Sequence, residues 1–134
     1  MSPEYYQYIF DRLLKNGALD VYLTPIMMKK QRPANMLSVL CKEERADLLR
    51  RIIFEETSTF GIREYKVNRY ALQRNFKTVK MPIGDVKVKM GYMDGKLIKS
   101  HPESDDVKAI AEKSGLSILS VLKLLKDYED ENDT

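Results

Sequence analysis

The stretch Thr78-Val79-Lys80-Met81-Pro82-Ile83-Gly84-Asp85-Val86-Lys87-Val88-Lys89-Met90 alternates apolar and polar residues on either side of a Gly-Asp pair. Side chains leave a strand on opposite faces in turn. The pattern therefore predicts two half-buried antiparallel strands, 78–83 and 86–90, joined at Gly84-Asp85. Val79, Met81, Ile83, Val86, Val88 and Met90 would face a core, with Lys80, Lys87 and Lys89 on the opposite face. Downstream, Asp94-Gly95 signals a second hairpin turn into a strand near 96–99, which Pro102 stops. Upstream, residues 61–72 also alternate. They predict a long strand with Arg63, Tyr65, Val67 and Arg69 on one face.

Helical spacing replaces this alternation at both ends of the chain. After Ser2 (a capping residue) and Pro3, the residues Tyr6, Ile9, Phe10, Leu13 and Leu14 lie on one helix face, and Gly17 ends the helix. Asp20–Met28 and Asn35–Cys41 read as a hairpin with a basic tip, Lys29-Lys30-Gln31-Arg32-Pro33. Pro25 has no N–H to donate, which puts its strand at an edge or a bulge. Glu43–Glu56 forms a second helix with Leu48, Leu49, Ile52 and Ile53 inward. Near the C-terminus, Val107, Ile110 and Ala111 mark a short helix ended by Gly115. Ser117 caps a last helix with Ile118, Val121, Leu122 and Leu125 inward, and residues 127–133 form an acidic end expected to fray. The fold class is α+β. Its first half is a split βαβ (ferredoxin-like) pattern lacking its first strand, followed by an antiparallel β meander and two C-terminal helices. A single domain, 1–134, is expected, with a helix-hairpin-helix part over 1–60 and the meander plus helical pair over 61–134.

Composition removes whole classes of function. With 43% hydrophobic and 32% charged residues among 134, the chain can bury a core and is not disordered. It has no run of 18 apolar residues to span a membrane, and its first 30 residues are not laid out as a secretory signal. One cysteine, Cys41, and one histidine, His101, exclude an internal disulfide and a four-ligand Cys/His zinc site within one chain. A reducing, cytoplasmic setting is the expectation. Neither the Walker loop nor the dinucleotide glycine fingerprint is present, so side chains must hold any phosphate.

The charge is unevenly spread. Residues 29–100 carry 17 bases against eight acids, whereas residues 101–134 carry four bases against nine acids. A basic middle suits an anionic partner. It also suits an acidic tail folded back on it. The candidate phosphate ligands are Lys29, Lys30 and Arg32 at the hairpin tip, with Arg63, Arg69 and Arg74 further on. The plainer reading of the tip is a solvated turn. Glu103, Asp105 and Asp106 beside His101 offer hard oxygen donors to a divalent cation, although acids in a first helical turn also simply complement the dipole. Lysines on an exposed strand face with Tyr65, Tyr70, Phe76 and Tyr92 nearby could stack bases, but tyrosines in strands mostly pack. Nucleic-acid binding, DNA included, is not expected. The last helix sets Lys123 and Lys126 against Asp127, Glu129 and Asp130, and phosphate would repel it.

Longer motifs point further. Gly17-Ala18-Leu19-Asp20-Val21-Tyr22-Leu23-Thr24-Pro25-Ile26-Met27-Met28-Lys29-Lys30-Gln31-Arg32-Pro33, followed by Val39-Leu40-Cys41, resembles the signature of the LarC family. So do Glu55-Glu56-Thr57-Ser58-Thr59-Phe60-Gly61-Ile62-Arg63, Arg69 with Leu72 and Arg74, and Gly84-Asp85-Val86-Lys87-Val88-Lys89-Met90-Gly91, with Pro102-Glu103 and Asp106 behind them. The resemblance covers nearly the whole chain and is to the C-terminal portion of such proteins. It implies a CTP-dependent cyclometallase that places Ni(II), as substrate, into pyridinium-3,5-bisthiocarboxylic acid mononucleotide to make the nickel-pincer cofactor of lactate racemase. Under it, Lys29, Lys30, Arg32, Arg63, Arg74 and Lys87 would hold phosphates. Glu103 and Asp106 would bind the Mg or Mn ion that accompanies CTP. The partners expected are CTP, the pyridinium mononucleotide, the N-terminal portion of the same family protein and further copies of the chain. Turnover by this portion alone is not expected. The competing reading is an oligomerisation or assembly module without its own active site.

Overall fold

Ser2 opens the first helical segment by accepting the Glu4 N–H on its hydroxyl at 3.5 Å, and Pro3 takes the position where its missing N–H is no loss. A 3₁₀ turn, Pro3–Tyr5, leads into α1, Tyr6–Lys15. In a computed structural model that describes residues 1–132, the chain divides into two compact units, Met1–Lys66 and Val67–Thr134.

In the first unit, Gly17 at φ +100° turns the chain out of α1, and a Cβ there would meet the Arg45 side chain at 3.2 Å. The strands β1, Ala18–Met28, and β2, Arg32–Cys41, then pair antiparallel from Ala18 opposite Cys41 to Met28 opposite Arg32. The pairing is irregular between Ala18 and Asp20. With two strands in the sheet both are edges, which accommodates Pro25 opposite Asn35. A 3₁₀ turn, Glu43–Arg45, precedes α2, Ala46–Glu56. Ile9 and Leu13 of α1, Leu49 and Ile52 of α2, and Ala18 and Val21 of β1 form the core. Each large aliphatic side chain among them contributes about 1.5–3 kcal/mol by leaving water. Arg12 ties the helices together by pairing with Glu56 and, at 3.0 Å, with Glu55. Leu14 and Leu48, expected inside, are exposed. Each lies beside a more central neighbour, Leu13 or Leu49, and two short helices bury only a narrow stripe.

The strand expected over 61–72 does not form. Neither face of that alternation is apolar. One would carry Arg63, Tyr65, Val67 and Arg69, the other Ile62, Glu64, Lys66, Asn68 and Tyr70. With no hydrophobic face to bury, nothing offsets the entropy of ordering a strand. Arg63, Tyr65, Val67 and Arg69 are all exposed. The segment is tethered instead by ion pairs, Arg50 to Glu64 at 3.2 Å and Lys66 to Glu43 at 3.5 Å.

The second unit is a three-stranded antiparallel meander, β3 Gln73–Met81, β4 Gly84–Met93 and β5 Lys96–Pro102, with β4 in the centre. Its first turn is Pro82-Ile83 rather than Gly84-Asp85, because Met81 already pairs with Gly84. Proline presets the backbone for a turn, and Gly84, at φ +141°, opens β4 against Ile110. The second turn falls at Asp94-Gly95 as expected. Both residues have positive φ, 50° and 77°, which a tight two-residue hairpin requires. The helices α3, Ser104–Ser114, and α4, Ile118–Asn132, cover one face. Val79, Met81, Val86, Val88, Val107, Ile110, Val121 and Leu125 make that core. Ile118, expected inward, is exposed in the first turn of α4. Residues 127–132 of the acidic end are helical rather than frayed, while Asp133 lies outside the described residues. Among the described residues no helix is long and apolar enough to cross a membrane.

Candidate functional site

The face of the meander turned away from α3 and α4 is set by register. Thr78 stands opposite Lys87, Phe76 opposite Lys89 and Arg74 opposite Gly91 on the β3 side. His101 stands opposite Lys89 and Lys99 opposite Gly91 on the β5 side. Paired residues in an antiparallel ladder share a face. Val86, Val88 and Met90 point to the helices, so Arg74, Lys87, Lys89, Lys99 and His101 share the other face with Phe76. Gly91 leaves room there: Leu72 Cδ1 would lie 2.8 Å from a Cβ at that position and Lys99 Cγ 3.6 Å from it. Four strand positions separate the levels of Arg74 and Lys87, about 13 Å along β4. Lys89 stands at the level between them.

The strand-to-helix junction closes one end of this face. Beyond the last residue of β5, the Lys87 backbone finds other partners. Its carbonyl accepts from the Glu103 N–H at 2.8 Å, and its own N–H donates to Asp106 Oδ2 at 2.8 Å. Glu103 Oε1 sits 3.7 Å from Lys89 Nζ. Both expected cation ligands therefore lie beside the basic face. Among the described residues no group of three or more His, Cys, Asp or Glu side chains is placed to hold a metal by itself. Any divalent ion here would need oxygens from its ligand as well.

The other expected cations belong to the first unit. Lys29 and Lys30 lie on the exposed 3₁₀ turn Lys29–Gln31, with Lys30 at φ 60° and Gln31 at φ 55°. Arg32 begins β2 opposite Met28 and is exposed. Arg63 lies in the irregular segment. Among the described residues, no ion pair to a carboxylate engages Lys29, Lys30, Arg32, Arg63, Arg74 or Lys87. Within the second unit, Arg74 and Lys87 thus come onto one surface, joined by Lys89, Lys99, His101 and Phe76. The alternation already put Lys89 beside Lys87. Placing Lys99 and His101 needs the β4–β5 register across its irregularity at Gly91/Tyr92, which no local pattern announces.

Cys41 is part-buried against the first core. Burial pushes its thiol pKa up, Glu64 and Glu44 add to that, and Arg50 opposes it. A thiol held in its neutral form is a poor nucleophile and a poor metal ligand, which fits a packing role.

Two antiparallel sheets with helices on one face of each, and a row of cations on an open strand surface, define a small mixed α+β protein suited to an anionic ligand. The family described as nickel insertion protein matches residues 1–122. A pyridinium-3,5-bisthiocarboxylic acid mononucleotide nickel insertion protein of Clostridium kluyveri is 46% identical over 125 residues, 93% of this chain and 31% of the relative. A protein of the same name from Desulfitobacterium hafniense is 37% identical over 127 residues, 95% of this chain and 32% of the relative. Among solved structures, the chain is similar to LarC2, the C-terminal domain of a cyclometallase involved in synthesis of the NPN cofactor of lactate racemase. The TM-score is 0.87 at 37% identity, covering 96% of this chain and 89% of that one. Protein MK0293 from Methanopyrus kandleri shares the fold alone, with a TM-score of 0.66 at 22% identity, over 90% of this chain and 75% of that one. The chain belongs to the nickel insertion protein (LarC) family, as its motifs imply, and spans under a third of the length of these two curated relatives.

Proposed function

We propose that this chain is the C-terminal portion of a CTP-dependent nickel-insertion enzyme of the lyase or chelatase type, and that its own task is to bind metal-CTP. The substrates of the whole enzyme are Ni(II) and pyridinium-3,5-bisthiocarboxylic acid mononucleotide, and the reaction forms a nickel–carbon bond with loss of the ring proton. One observation carries the nucleotide reading: Arg74, Lys87, Lys89 and Lys99 share one open face of the meander. Guanidinium forks and ammonium groups on a common surface are what a triphosphate needs. Lys29, Lys30, Arg32 and Arg63 are the first unit's candidates for phosphate contact.

Glu103 and Asp106 are the residues for the accompanying Mg or Mn ion. Both supply hard oxygen donors, and Asp106 keeps Oδ1 in addition to the oxygen held by Lys87 N–H. The ion would offset phosphate charge and favour one arrangement of the triphosphate. Turnover needs the rest of a longer protein, given the share of its relatives that the chain spans. The free Cys41 thiol suits a cytoplasmic location.

Calorimetry of this chain with CTP, ATP and GTP, each with Mg²⁺ or Mn²⁺, tests the proposal. Saturable heat with CTP above that with ATP or GTP is expected, and no heat with CTP overturns it. Arg74→Ala or Arg63→Ala should weaken CTP binding by about 1.5–3 kcal/mol, the range for hydrogen bonds to charged groups. A second reading, an assembly module, draws on the hairpin surface that carries Tyr22, Ile26, Met28, Met36 and Leu40. Among them Tyr22, Met28 and Met36 are exposed. Light scattering that finds a strict monomer at micromolar concentration would remove it.

A further inference from the structure

Phe76 is out of place for a packing residue. It sits within β3, yet 54% of it is exposed, while Val79 and Met81 of the same strand are buried. Alternation puts Phe76 on the face away from α3 and α4, so the core cannot cover it. A phenyl ring left in water forgoes much of the stabilisation its burial would bring. Its neighbours on that face are cationic or polar. Lys89 is directly opposite, and His101 lies beyond Lys89. Arg74 and Thr78 flank it on its own strand, each two residues and about 7 Å away.

An aromatic ring bordered by cations on a strand surface has the form of a nucleotide seat. A heterocyclic base offers a π-face that stacks on phenylalanine, while the phosphates take the surrounding guanidinium and ammonium groups. A bare polyphosphate would use only the cations.

We propose that Phe76 is the stacking platform for the planar ring of the nucleotide bound on this face, with Arg74, Lys87, Lys89 and Lys99 reading its phosphates. This rests on the metal-CTP reading above and adds the residue that separates a nucleotide from an inorganic anion. The ring lies across Phe76. The triphosphate runs along β4, where Lys87 and Lys89 alternate outward. Stacking alone tolerates any base, so Phe76 supplies affinity for the ring and leaves the choice among bases to other groups.

Calorimetry of the whole chain with Mg-CTP and with magnesium tripolyphosphate, on the wild type, Phe76→Leu and Phe76→Tyr, provides the test. The leucine variant should lose at least about fivefold in CTP affinity and keep its tripolyphosphate affinity, and the tyrosine variant should match the wild type with both. A circular dichroism melt confirms that each variant folds. Upfield shifts of the cytosine H5 and H6 resonances on binding, lost in Phe76→Leu, give a second readout. A leucine variant that binds CTP like the wild type, or that loses both ligands equally, overturns the platform and leaves the CTP reading standing. A wild type that binds tripolyphosphate and not CTP overturns both.

Discussion

Leu72 rests over Gly91: a Cβ placed on Gly91 would meet Leu72 Cδ1 at 2.8 Å, closer than carbon atoms approach. The last residue before β3 is thus laid onto the open face of β4, where only glycine leaves the space. Gly91→Ala should destabilise the protein by about 1–3 kcal/mol, the usual cost of overpacking. Leu72→Ala removes the obstructing methyl groups, so the same glycine change made in that background should cost much less. Thermal melts of the two singles and the double measure the coupling, and strictly additive losses would refute this contact.

Gly84 is the contrasting case. A Cβ there would lie 2.8 Å from Ile110 Cγ1, and the backbone is at φ +141°, a region few side chains tolerate. Gly84→Ala should cost about 1–3 kcal/mol or more, since a crowded core and a strained backbone both oppose it. Set against Ile110→Ala alone, which removes both Cγ1 and Cδ1, the double variant should return only part of the loss, because trimming the neighbour does not change φ. Full recovery in the double variant would show that the backbone carries no strain.

Asp106 links α3 to the end of the meander through the Lys87 N–H at 2.8 Å. Asp106→Ala removes that exposed hydrogen bond and an acid from the first turn of α3, so a loss of about 0.5–1.5 kcal/mol is expected. Asp106→Asn keeps an acceptor oxygen and should cost less. Urea titrations rank the two, and equal losses would show that charge matters rather than the hydrogen bond.

Cys41 provides a pH prediction. Burial, with Glu64 and Glu44 adding and Arg50 opposing, raises its pKa in the folded chain. Between the unfolded and the raised folded value, the folded state holds more protons than the unfolded one. Stability therefore falls as pH rises through that window and is unaffected by this group below it. Cys41→Ala should remove that part of the alkaline decline, seen as melts that vary less with pH. Iodoacetamide should also modify the native thiol more slowly than free cysteine at pH 8, and modification at the rate of free cysteine would contradict the shielding.

Where a local pattern carried a buried apolar face, the elements are those the residues announce. The hairpin of β1 and β2, both N-terminal helices, the Asp94-Gly95 turn and the α3–α4 pair all follow from spacing, caps and glycines. Alternation without an apolar face misleads, as over 61–72, where no strand forms. Turn position also escaped the pattern. Moving the loop from Gly84-Asp85 to Pro82-Ile83 keeps the same residues inward, so hydrophobicity cannot choose between the two. For the proposed site, the motifs named Arg74, Lys87, Glu103 and Asp106, which the fold sets on or beside one face of the meander. Phe76 and His101 were visible as candidates, but their meeting with Lys89 and Lys99 on one face was not, because it depends on which residues of three strands stand opposite one another.

By itself, the order of residues determined the α+β class, the two core faces, the family and the excess of positive charge over 29–100. Those properties repeat every two or every three to four residues and are written in local chemistry. Tertiary structure alone decided that cations from β3, β4 and β5 become neighbours around one exposed phenyl ring. Strand register, set by turns and by the irregularity between Gly91 and Tyr92, converts wide separations in sequence into adjacency, and no window along the chain contains that information.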